Sequence, residues 1–216
     1  MRMRPITTLA AAVLLALLPL AATGAPMPPA GEYTYRIHHP EYGEIGTYTN
    51  RITQNGDTVN VDTTVRIAVK LAFVTVYRLE ADRSEQWRDG RLVAFSSVTE
   101  KNGKISRVAG RAEGDRFVIE GPRGRTAAPA GVWPDNPWSP AIAQADAIMG
   151  TVSGKLYEPR ITNSRQETVP VQGQPIPTQH YEIVTGEPND LWYDASGRLV
   201  KFTTVEDGDV ITLTLR

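Results

Sequence analysis

The stretch Thr58-Val59-Asn60-Val61-Asp62-Thr63-Thr64-Val65-Arg66-Ile67-Ala68-Val69-Lys70-Leu71 decides the fold. Val59, Val61, Val65, Ile67, Val69 and Leu71 fall on one side of a two-residue repeat, and Asn60, Asp62, Thr64, Arg66 and Lys70 on the other. Successive side chains of a strand point to opposite faces, so this is a half-buried β-strand. Tyr33, Tyr35 and Ile37 repeat the pattern near the start, and Ile211, Leu213 and Leu215 repeat it at the end. Between such segments stand Asn55-Gly56-Asp57, Asp89-Gly90, Asn102-Gly103, Glu113-Gly114-Asp115, Ser196-Gly197 and Asp207-Gly208. These pairs supply the positive φ angles of tight hairpins, so the strands run antiparallel in succession. The expected fold is all-β: a curved sheet or open barrel of hairpin-linked strands.

Working outward, no Gly or Pro interrupts Thr58 to Arg88. Either one very long strand bends there or a turn lies hidden near Lys70 to Phe73. At Val74 and Val76 the second face also becomes apolar. Burial on both sides of Leu71 to Tyr77 is expected where a curved sheet closes over something. The meander is broken by Pro122 to Pro140, an insert with five prolines and two tryptophans. A loop of that length is usually a lid or a structured element. After Ser139, Pro140 to Met149 has a proline at a first-turn position and apolar residues at Ile142, Ala145, Ile148 and Met149. That spacing predicts one short helix around 140–149.

The N-terminus has Arg2 and Arg4, then the apolar stretch Leu9 to Ala22 and the small residues Thr23, Gly24 and Ala25, the three parts of a secretory signal peptide. Its uncharged run of roughly 17 residues, broken by Pro19, is at or below the about 20 that span a bilayer comfortably. The expected organisation is a signal peptide over 1–24, a flexible leader over 25–30, and a single β domain over 31–216 carrying the insert at 122–140. Without Arg2 and Arg4 the formal charge goes from −1 to −3, and no basic run remains, which argues against nucleic acid as a partner. The absence of cysteine excludes a disulfide framework and a lipidated cysteine. The expected location is the periplasm, or secretion, with no membrane span after cleavage.

Tyr77-Arg78-Leu79-Glu80, Glu85-Gln86-Trp87-Arg88-Asp89-Gly90-Arg91-Leu92, Leu191-Trp192-Tyr193-Asp194 and Gly197-Arg198-Leu199-Val200-Lys201 resemble a family of exported bacterial proteins known only as a domain of unknown function. The likeness covers essentially the whole mature chain. The Trp-Tyr-Asp and Gly-Arg hairpin is also similar to one in periplasmic lipoprotein-carrier proteins. That second likeness implies an open antiparallel barrel around a hydrophobic cavity closed by helices. A family without an assigned activity implies fold and compartment, and no catalytic residue.

Chemistry-bearing patterns are sparse. His38 and His39 point to opposite faces if they lie in a strand, which makes joint coordination of one ion awkward. His180 would support hydrolysis only if it faced a cavity beside a nucleophile. Gly150-Thr151-Val152-Ser153-Gly154 is not a nucleophile elbow. Glu80 with Asp82, and Glu206 with Asp207 and Asp209, read as solvated surface sooner than as an acid–base pair. Arg123 and Arg125 lack the glycine spacing of a phosphate loop. No catalytic residue, metal or cofactor is therefore expected.

The aromatic set is more informative. Tyr77, Trp87, Phe95, Trp133, Trp138 and Trp192, with Val74 and Val76, either line a ligand site inside the curled sheet or fill its core. The leading expectation is a non-enzymatic carrier of an apolar or amphipathic ligand such as a lipid. The alternative is an interaction module that docks onto an envelope protein, with a filled interior and an exposed apolar patch at Trp133 and Trp138.

Overall fold

The structure, a computed structural model, describes residues 27–216. The signal-peptide reading and Ala25 and Pro26 of the leader lie outside the described residues. Of the rest of the leader, Pro28 is buried and the Pro29 carbonyl accepts a 2.7 Å hydrogen bond from the Tyr33 hydroxyl.

The chain opens with β1 (Gly31–His39), β2 (Gly43–Asn55), β3 (Thr58–Leu71) and β4 (Val74–Arg88). It continues through β5 (Arg91–Lys101), β6 (Lys104–Glu113), β7 (Arg116–Gly121) and β8 (Gly124–Pro129). Three short strands follow: β9 (Val132–Pro134), β10 (Ala147–Met149) and β11 (Leu156–Tyr157). The last five are β12 (Arg160–Val171), β13 (Gln174–Thr185), β14 (Glu187–Tyr193), β15 (Leu199–Glu206) and β16 (Asp209–Leu215).

Thirteen of these form one antiparallel sheet in the order β12-β13-β14-β15-β16-β1-β2-β3-β4-β5-β6-β7-β8, and β11-β10-β9 form a small second sheet. The sheet does not close, because β12 and β8 are its two edges. It is a meander cut once, with β1 and β16 paired at its middle (Tyr35 opposite Leu215). The alternation predicted for β3 holds: Val59, Val61, Val65 and Val69 are buried in the core with Tyr35, Ile37, Leu213 and Leu215. Asp89-Gly90, Asn102-Gly103 and Asp207-Gly208 all have positive φ, as tight hairpins require.

Bulges set which residues face inward. Ile37 pairs with Gly46 and His38 with Glu44, so Ile45 is an extra residue that joins the core out of phase with Tyr48 and Asn50. A side chain at Gly46 would sit 2.1 Å from the Arg66 carbonyl oxygen of β3, a backbone atom that cannot step aside.

Two expectations need correction. The uninterrupted run does hide a turn, at Ala72-Phe73, with Ala72 at φ 53°. Yet the residues around it are not buried on both sides: Leu71, Phe73, Val74 and Val76 are all exposed. Pairing of β2 with β3 ends at Gly46–Ile67, and pairing of β4 with β5 at Leu79–Lys101, so the tip projects as a bare two-stranded ribbon. The helix expected over 140–149 is a single 3-10 turn, Pro140–Gln144, with the Ser139 hydroxyl accepting from the Ala141 N–H at its start. Ala147, Ile148 and Met149 are all buried and extended as β10, flanked by β9 and β11, so sheet pairing overrides the helical spacing. The insert is itself partly strand, since β8 and β9 fall within 122–140.

Gly46→Ala is expected to destabilise the protein by about 2 kcal/mol or more through backbone collision. Gly103→Ala, at a positive φ with open space around it, is expected to cost about 1 kcal/mol. Urea unfolding of the two variants measures the difference.

Candidate functional site

The concave face of the sheet encloses a cavity of about 690 Å³. Its walls are apolar: Ile37 from β1, Ile45 from β2, Val65, Ile67 and Val69 from β3, Leu79 from β4, Phe202 from β15, and Ile211 and Leu213 from β16. These are the inward positions of strands whose other face meets water, so the alternation that builds the sheet also builds the wall. One end is a mouth ringed by His39, Tyr42, Val76, Tyr77, Lys101, Glu206, Asp207 and Asp209. The other is reached by Arg83, Thr99, Asp135, Pro137, Thr151 and Val152.

That inner end is stoppered by the segment Asp135 to Ser139. Glu85, fully buried on β4, accepts 2.9 Å and 3.0 Å hydrogen bonds at one carboxylate oxygen from the indole N–H groups of Trp87 and Trp138. Its other oxygen accepts a 2.6 Å bond from the Asn136 amide. Asn136 extends the network, accepting from the Tyr48 hydroxyl at 2.6 Å and donating to the Thr63 hydroxyl at 3.1 Å. Tyr193 donates to the Pro137 carbonyl at 3.0 Å. Burial pushes the Glu85 carboxyl up to about 7, against the three donors, which favour its ionised form.

Arg83 belongs to the same inward stripe of β4. Its Nε is buried without a hydrogen-bond partner among the described residues, and so is the hydroxyl of Thr99. Asp135 is exposed where it opens on the cavity. Desolvation by the protein packed around it raises its carboxyl above the usual range, and the nearby Arg83 charge opposes the rise.

The residues singled out from sequence do not come together at one place. Val76 and Tyr77 line the mouth, while Val74 stands exposed on the ribbon tip. Trp87, Trp133 and Trp138 pack on one another, with centroids 4.1, 5.7 and 5.5 Å apart, behind the stopper. They border only a pocket of about 50 Å³. Phe95 is buried core beside Glu85 across the β4–β5 pairing. The patch expected at Trp133 and Trp138 is absent, because both are buried; the exposed apolar surface is at Leu71 to Val76 instead.

Trp192 lies elsewhere, stacked on His180 at 4.3 Å. His180 Nε2 is 2.9 Å from Asp190, and Glu167 flanks its other nitrogen at 3.2 Å. His180 is buried and does not line the cavity. His180, Glu182 and Asp190 bring ligand atoms within 4.8 Å of one another, but Glu182 is already paired to Arg165 at 2.5 Å. Of the remaining patterns, Glu80 pairs with Arg78, Asp82 with Arg66, and Arg125 with Glu113 on the outer surface.

Sequence reasoning missed Arg83, Glu85, Thr99 and Asp135. The signal for the first two was present: Tyr77, Leu79, Ala81, Arg83, Glu85 and Trp87 share one parity, so two charges interrupt a stripe that is otherwise apolar or aromatic.

The architecture is that of a β-barrel-like protein with an internal cavity. The model of a domain of unknown function (DUF6134) matches residues 35–216, and the chain belongs to that family. The structure is similar to that of a β-barrel-like protein of the domain of unknown function DUF1849 from Brucella abortus, at 9% identity, covering 89% of this chain and 96% of that one, with a TM-score of 0.61. A DUF1089 family protein from Pseudomonas aeruginosa aligns over 92% of this chain and 95% of its own at 10% identity, with a TM-score of only 0.30. No curated protein matches the sequence. Among the described residues no helix is long and apolar enough to cross a membrane.

Because the carboxyl of Glu85 is raised in the folded state, the native protein holds its proton more tightly than the unfolded chain. Its contribution is therefore fully present below about pH 4.5 and is lost as pH rises to about 7, on the order of 3 kcal/mol. Glu85→Ala leaves three buried donors unpaired and is expected to lower stability by about 3 kcal/mol or more, and to remove that pH dependence. Urea midpoints between pH 4.5 and 8 measure both effects.

Proposed function

We propose that this is a non-enzymatic, exported binding or carrier protein that holds an apolar or amphipathic ligand, such as a lipid, in the cavity of its curved sheet. The cavity itself carries this reading: its volume of about 690 Å³ falls within the 300–1,000 Å³ usual for small-molecule sites, and its walls are mostly apolar. Burying a methylene there contributes about 0.8 kcal/mol, so an acyl chain binds usefully without any chemistry. The signal-like N-terminus supports a periplasmic location. The exposed ribbon tip adjoins the mouth, with Val76 belonging to both, and offers an apolar ligand a contact surface beside the entrance.

The same tip favours a second reading, in which Leu71, Phe73 and Val74 dock on an envelope protein. One experiment separates the two. In native mass spectrometry of the exported protein, a lipid-sized adduct is expected, or one that forms on adding palmitate. Ile67→Trp, which fills the cavity, is expected to abolish it, and Phe73→Asp, at the tip, to leave it. A bare mass that added palmitate does not shift would overturn the carrier reading.

A further inference from the structure

Arg83 poses a problem that the fold leaves unsolved. Its row across the sheet reads Asn50, Thr63, Arg83, Ser97, all on the concave side. Thr63 and Asn50 spend their polar atoms on each other and on Asn136. Glu85 turns both oxygens to the stopper. The Arg83 Nε is thus buried and unpartnered, and no carboxylate among the described residues forms an ion pair with the guanidinium. One row nearer the mouth, the Thr99 hydroxyl is also buried and unpartnered, and both side chains line the cavity. A planar cation with unused donors, beside a buried and unpartnered hydroxyl at the inner end of an apolar channel, is matched to an oxyanion.

Resting on the carrier reading above, we propose that Arg83 and Thr99 form a head-group subsite for the carboxylate of a single-chain amphiphile. The ligand enters head first, with its chain running back toward the mouth. Three observations fix the class and the direction. Asp135 opens on the same end of the cavity, so a singly charged carboxylate is tolerated better than a doubly charged phosphate. The rim carries Glu206, Asp207 and Asp209 against Lys101 and His39, so an anion is repelled at the mouth more than at Arg83. Along β4, Tyr77 at the mouth to Arg83 spans about 20 Å, and the side chains between them that face inward, Leu79 and Ala81, are aliphatic, which suits one extended chain.

The test measures palmitate and hexadecanol, equal in chain and different in head group, on the full mature protein by displacement of a fluorescent acyl probe. Palmitate is expected to bind the wild type more tightly. Arg83→Met is expected to weaken palmitate about tenfold or more while leaving hexadecanol within about threefold. Thr99→Val is isosteric and removes only an unpartnered hydroxyl. It is expected to keep or raise the unfolding midpoint while weakening palmitate about threefold or more, which a purely structural role would not produce. If the wild type binds both compounds and neither substitution separates them, the subsite is overturned while the carrier reading stands. If the wild type binds neither, both fall.

Discussion

The interaction on which the rest depends is the buried carboxylate of Glu85 and its three donors. An open sheet of thirteen strands has two unpaired edges and no intrinsic reason to enclose space. Trp138 and Asn136 bring the 135–139 segment across one end of the curl and fix it by hydrogen bonds to β4, while Trp87 completes the set from β4 itself. Hydrogen bonds in a water-poor interior are strong when every partner is present and costly when one is missing. The stopper is therefore fixed by polar complementarity as well as by the tryptophan packing around it. It turns a trough into a cavity with an inner end and a mouth.

The same strand presents the opposite case two residues away. Glu85 is satisfied by the fold and Arg83 is not. The two side chains point the same way from β4, one into the stopper and one toward the cavity. Structural and ligand-directed polarity are thus separated by a single strand repeat of about 7 Å. Leaving a cation and a hydroxyl without internal partners lowers stability, a pattern common where a site is shaped for a ligand.

Legibility followed the range of the physics involved. Val59 to Val69 declared a strand because alternation is set by the two-residue period of the backbone, and Asp89-Gly90 or Asn102-Gly103 declared hairpins because few residues tolerate positive φ. Ala72-Phe73 was masked because it is a turn built without a turn residue. Ala147 to Met149 was misread because an apolar spacing compatible with a helix is equally a buried strand, and only β9 and β11 decide between them. Arg83 was not picked out, although its parity with Leu79 and Trp87 placed it inside. Trp133 and Trp138 were recognised as important, yet whether such rings line a cavity or pack behind its stopper depends on a carboxylate some fifty residues earlier in the chain.

The sequence by itself determined the all-β class, the antiparallel succession, the inward stripes and the family, because these follow from local backbone periods, turn chemistry and residue pattern. Tertiary structure alone decided that the sheet stays open, that the insert stoppers one end, and that the tip at Leu71 to Val76 stands bare. It also decided which tryptophans are structural and which polar groups face the cavity. Those outcomes depend on pairing between distant segments and on whether a buried polar atom finds a partner, and no local pattern encodes either.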